Sequence, residues 1–202
     1  MSELFSIQLQ NRQQQGRDGV WLDLPTTTEQ VQAALRQIGI SSDNPQGLFI
    51  SGYFAEEEKR FAIPYNMVLA SNVDELNFLA SRLETLSTGE RAELNAALQA
   101  PQSELSSIGR ITDFPENVDY YVHLPDVRGP AQLGDYYLNR SGMVDMPEEW
   151  KGGIDTAQFG RYVAQQEQGA FTQYGYLVKS GDEWQKVHEG QPVPEEYRVL
   201  SF

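Results

Sequence analysis

The stretch NVDELNFLASRLETLSTGERAEL, residues 72–94, decides how the chain is read, because its local grammar predicts two helices joined by a tight turn. Asn72 with Glu75 and Ser87 with Glu90 have the cap-x-x-Glu spacing that satisfies the orphan amides of a helix start. Leu76, Leu79, Leu83 and Leu86 recur at steps of three and four and form one apolar stripe. Asp74, Asn77, Ser81 and Glu84 fall on the opposite side, which is expected to meet solvent or a partner. On spacing alone this is an ordinary amphipathic pair with a solvated acidic face.

The whole chain sharpens that reading. Of 202 residues, 40% are hydrophobic and 11% aromatic, enough for a buried core and too rich for general disorder. No apolar run approaches the length that spans a bilayer. The start, MSELFSIQLQ, lacks the basic region and long apolar stretch of a secretion signal, so a cytoplasmic location is expected. With no cysteine there is neither a disulfide framework nor a thiolate site. The net charge of −14, from 29 acids and 15 bases, repels nucleic acid and anionic membranes, so a charged partner should be basic. Residues 72–145 hold twelve acids and five bases, a net of −7, which is half the total in about a third of the chain.

On the N-terminal side of these helices, residues 1–67 alternate as a small α+β unit. LFSIQLQ, VWLDLP and GLFISGYF are strand candidates. A helix between the second and third is predicted to begin at a Thr26-x-x-Glu29 box, bury Val31, Ala34, Leu35 and Ile38, and end near Gly39. NRQQQGRDG should be a mobile loop. Residues 68–109 form a helical middle, closed by Pro101 and a connector. Residues 110–179 give a second α+β unit: a strand in VDYYVHLP, a helix opened by Pro130, another from about Asp155, and a closing strand AFTQYGYLV. Residues 180–202 read as an extension, either an appended tail or a small hairpin.

Catalytic grammar is missing. His123 and His188 lie far apart without cysteine partners, no glycine-rich phosphate loop follows a strand, and there is no nucleophile elbow. A carboxylate pair such as Glu148 with Glu149, or a site within Glu56, Glu57 and Glu58, is conceivable as general acid and base. Neighbours on a helix diverge by about 100°, however, and exposed acid runs are usually solvated surface. The expectation is a protein that is not an enzyme and needs no cofactor or metal.

The order of the blocks carries more than any one of them. GVWLDLP, ISGYF, VDELNFLASRLETLSTGERAEL, LGDYYLNRSGMVDMPEEW, IDTAQFGRYV and GAFTQYGYLV, over roughly residues 5–178, resemble the successive blocks of the ArdA antirestriction family. The resemblance implies an elongated α+β chain of three small domains, at 1–67, 68–109 and 110–179, with 180–202 appended, forming a curved acidic rod that pairs as a homodimer and imitates bent duplex DNA. It implies an inhibitor that occupies the DNA-binding groove of Type I restriction-modification enzymes, docking on their specificity and methyltransferase core, in the service of host-defence evasion by a mobile genetic element. It would bind no nucleic acid or membrane itself. The alternative is an acidic interaction or assembly module without DNA mimicry.

On this reading the acids stand in for phosphates, and the candidates are those crowding the most acidic part of the chain: Asp74, Glu84, Glu90, Glu93, Asp113, Glu116, Asp119, Asp126, Asp135, Asp145, Glu148 and Glu149. Asp74 and Glu84 lie about 15 Å apart along one helix at roughly 1.5 Å per residue, so a phosphate-like row has to be assembled across several elements. For the dimer, Tyr136, Tyr137, Phe159, Tyr162 and Phe171 are the aromatic candidates, although the same side chains suit a core.

Overall fold

The computed structural model describes residues 4–14, 18–57, 60–101 and 103–201. In chain order the elements are β1 (Phe5–Asn11), β2 (Val20–Leu24), α1 (Thr28–Gln37), β3 (Leu48–Phe54), α2 (Tyr65–Leu69), α3 (Val73–Glu84), α4 (Thr88–Gln99), α5 (Ile108–Thr112), β4 (Tyr121–Leu124), α6 (Pro130–Asn139), α7 (Glu148–Lys151), α8 (Thr156–Glu167), β5 (Ala170–Thr172) and β6 (Gly175–Lys179). The fold class is α+β, with two antiparallel three-stranded sheets ordered β2-β1-β3 and β4-β6-β5. These elements gather into two compact units.

The first unit comprises Met1–Ser87, Leu105–Glu116 and Gln185–Phe202. Its strands form where expected: Phe5, Ile7 and Leu9 alternate along β1 and are buried, with Leu22 and Leu24 of β2 and Ile50 of β3. The α1 helix packs on β2 and buries Val31, Ala34 and Leu35. Its start differs by one residue from the predicted box. Thr27 caps the helix reciprocally with Gln30, because the Thr26 N–H is already donated to Asn77 Oδ1 at 2.7 Å. The polar loop after β1 is in part outside the described residues, at 15–17, as is Glu58 of the acid run.

The quoted helices form, with Asn72 and Glu75 closing the predicted capping box of α3. Leu76, Leu79, Leu83 and Leu86 are buried as the stripe requires. Asn77, expected on the open face, is buried as well. The reason is the C-terminal segment: Asn77 Nδ2 donates to the Tyr197 carbonyl at 3.0 Å, and the Phe78 ring meets Tyr197 and His188 at 4.7 and 4.9 Å. Residues 185–201 thus run across α3 as a strap and bury Val199.

The second unit comprises Thr88–Glu104 and Asn117–Trp184, so α3 belongs to one unit and α4 to the other. Leu94, Ala96 and Ala97 of α4 are buried, and the helix packs against β4 and β6. AFTQYGYLV, expected as one strand, is a hairpin: β5 turns back into β6 through Gly175, whose φ of +127° is open to glycine and strained for other residues. The core is built from Val127, Leu133, Ala164 and Tyr176. Tyr137 and Tyr176 both donate to Glu167, and burial together with that carboxylate raises both phenols far above the ordinary tyrosine range.

Two glycines set the spacing of α6 and α8. A Cβ added at Gly160 would sit 1.8 Å from the Pro130 carbonyl oxygen, and one at Gly134 would sit 1.9 Å from that of Thr156. The two backbones touch, which no residue with a side chain permits.

Candidate functional site

In the second unit most of the candidate acids face solvent. Asp119 lies in a one-turn helix at Val118–Tyr120, Asp126 in the turn after β4, and Asp145 in the segment before α7; all three are exposed. Glu148 and Glu149 open α7 behind Pro147, where a helix start favours acids, and both are exposed. Glu148 Oε2 receives Lys151 Nζ at 3.0 Å, but its side chain is still 82% exposed. Asp135, on α6, accepts from Asn139 Nδ2 at 2.9 Å and from Arg140 Nη2 at 2.7 Å, and these bonds hold its carboxyl below the usual range.

The two acids of α4 are less available. Glu90 is half-buried. Burial, reinforced by the nearby charges of Glu90 and Asp119, pushes the Glu93 carboxyl up to about 8. At neutral pH Glu93 is therefore largely protonated in the folded chain. Taken together, this unit has thirteen acids and six bases, a net of −7.

The first unit also nets −7, from sixteen acids and nine bases, but treats its candidates differently. Asp74 Oδ1 accepts the backbone N–H groups of Val199 and Leu200 at 2.7 and 2.9 Å. Asp113, at the end of α5, is 0% exposed and accepts from the backbone N–H groups of His188 and Glu189 at 2.6 and 3.2 Å. Glu116 pairs with Arg82 of α3, and Glu84 is half-buried at the end of that helix. Asp74 and Asp113 therefore serve as anchors for the strap. No local spacing in the sequence distinguishes them from open acids, since their partners lie 125 and 75 residues away.

The aromatic candidates divide in the same way. Tyr136, Tyr137 and Phe171 pack against the core of the second unit, with Phe171 on Tyr176 at 4.9 Å. Phe159 is half-buried, and Tyr162 is 59% exposed on α8. Met143 and Trp150, which the sequence reading passed over, are more exposed still. The segment MVDMPEEW, which lies between Gly142 and Gly152 and is broken by Pro147, was the available sign, since a short element between breakers has little surface against which to bury such side chains. Among the described residues there is no group of three or more His, Asp or Glu placed to hold a metal ion, and no helix long and apolar enough to cross a membrane.

Comparison with protein families gives a match over residues 15–178 to the family described as antirestriction protein (ArdA). Comparison with curated proteins gives no match.

Proposed function

The chain belongs to the ArdA antirestriction family, and we propose that it acts as a non-enzymatic DNA mimic that fills the DNA-binding groove of Type I restriction-modification enzymes. The observation that supports this reading is the set of exposed carboxylates at Asp119, Asp126, Asp145, Glu148 and Glu149 within a unit of net charge −7. The lysine and arginine side chains that hold phosphates in such a groove accept any fixed anion presented at their tips. A chain of −14 is itself repelled by DNA, so it competes for the enzyme rather than for the duplex. The reading includes a cytoplasmic location, where such enzymes act on incoming DNA. It also includes an elongated arrangement of three domains and a homodimer. A dimer of −28 matches the charge on about 48 Å of duplex, at one charge per roughly 1.7 Å.

A second reading, an acidic interaction module without mimicry, draws on the inward use of Asp74 and Asp113, which hold backbone N–H groups of the strap whatever the partner. Simultaneous occupancy separates the two. Labelled duplex bound to a purified restriction-modification complex is titrated with the protein and followed by mass as well as by anisotropy. Mimicry predicts release of the duplex, whereas a complex holding enzyme, duplex and protein together would favour the second reading. Small-angle scattering and light scattering at micromolar concentration test the elongated shape and the dimer.

A further inference from the structure

We infer that the outer face of the β2-β1-β3 sheet is a docking shelf for an arginine-bearing surface of a basic partner protein. One face of this sheet carries the core residues Phe5, Ile7, Leu9 and Leu22. The other is expected to be polar, as is usual for an antiparallel sheet open on one side. Instead it presents Trp21 and Phe54, 50% and 57% exposed, with ring centroids 6.5 Å apart in an edge-to-face arrangement. The strand register accounts for the pairing. Trp21, Gln8 and Gly52 form one row across the three strands, and Asp23, Ser6 and Phe54 form the next. A Cβ added at Gly52 would lie 3.0 Å from Trp21 Cη2, so the far end of the indole reaches across the sheet to the bare glycine, and half of the residue remains open to solvent.

The charge on these strands selects the occupant. β1, β2 and β3 contain no lysine, arginine or histidine, and their one carboxylate is Asp23. Asp23 is exposed, and Ser6 Oγ steadies it by donating to its Oδ1 at 2.8 Å. Trp21 and Asp23 leave the same side of β2 about 6.6 Å apart, at roughly 3.3 Å per residue. That spacing suits one guanidinium, whose flat face stacks on the indole while its edge N–H groups reach the carboxylate. An ammonium has the charge but not the flat face. A second copy of the chain is a poor occupant of this face, since two-fold pairing here would set Asp23 against Asp23 with no base on any of the three strands to separate them.

These residues are distinct from the acids of the second unit, and the test uses no restriction enzyme, so its outcome is independent of the proposed inhibition. Full-length protein is titrated with fluorescently labelled octa-arginine and octa-lysine, which carry equal charge, at about 150 mM salt. The expected result is about fivefold tighter binding of octa-arginine. Trp21→Ala should reduce that preference to near unity, Trp21→Phe should keep part of it, and Asp23→Asn should weaken both peptides. Phe54→Ala, at an equally exposed position, is expected to lower the preference and serves as the second variant if Trp21→Ala does not fold. Equal affinities for the two peptides, or a preference that survives removal of both rings, would overturn the proposal. It would also be overturned if sedimentation showed Trp21→Ala halving the mass of the protein, which would mean that the shelf is covered by a second copy.

Discussion

The two units carry the same net charge and put it to different uses. In the first, acids hold the fold together: Asp74 and Asp113 collect four backbone N–H groups of the C-terminal strap, and Arg110 pairs with Glu189 of the same strap at 2.9 Å. In the second, close backbone packing at Gly134 and Gly160 brings α6 and α8 together, and Asp126, Asp145, Glu148 and Glu149 are left facing solvent. An acid can anchor backbone amides or meet a partner's cations. The sign of its charge does not say which, whereas its exposure and its partners do.

The contrast breaks most readily where the helices touch. Gly160→Ala should cost about 3 kcal/mol, because a backbone contact of this kind yields only by moving a helix, and that outweighs the gain of about 1 kcal/mol in helix propensity. A melting temperature lower by roughly 6–12 °C is expected in calorimetry, and an unchanged one would show that the crossing is loose. Asp113→Ala should cost about 2–3 kcal/mol by leaving two backbone N–H groups without their charged acceptor. Asp74→Ala should cost about 1–2 kcal/mol. Affinity for the target enzyme, measured well below the melting point, should change little in either. A large loss of affinity with normal stability would move these acids from the scaffold to the binding face.

Glu93 sharpens the contrast from inside the second unit. Its raised folded-state pKa means that the folded chain keeps a proton which the unfolded chain releases above about 4.5, so its contribution makes stability fall as pH rises from there to about 8. Glu93→Gln should therefore gain on the parent between pH 5 and pH 9 in urea melts. An equal difference at both ends would show that the burial of Glu93 is not felt. The smallest effects on stability belong to the open acids. Asp126→Asn or Glu149→Gln should shift it by no more than about 0.5 kcal/mol.

Much of this fold was legible locally. The capping box of α3, the leucine stripe, Pro130 at the start of α6 and the start of α8 near Asp155 are local features, and they appear where the sequence placed them. What escaped was decided by distant chain. Asn77 looked solvent-facing on the helical wheel and became buried because Thr26 and Tyr197 reach it from 51 and 120 residues away. The strap itself read as an extension, since its apolar residues Val187, Val193, Val199 and Leu200 have no period to announce a face. Glu93 has the helical spacing of an open acid, and its burial arises from the packing of α4 in the second unit. Glu148 and Glu149 were legible because a short helix between Pro147 and Gly152 has nowhere to hide adjacent acids.

The central claim is that the open acids of the second unit meet the cations that otherwise hold DNA. The direct measurement is a competition titration with labelled duplex at several salt concentrations, comparing the parent protein with the variant that combines Asp119→Asn, Asp126→Asn, Asp145→Asn, Glu148→Gln and Glu149→Gln. Exposed contacts contribute only a few tenths of a kcal/mol each, so five lost together should weaken displacement of the duplex about tenfold at moderate salt. The parent should gain on DNA as salt rises, because DNA draws more of its affinity from released counterions. Displacement by the five-fold variant equal to that by the parent, at unchanged stability, would contradict the account.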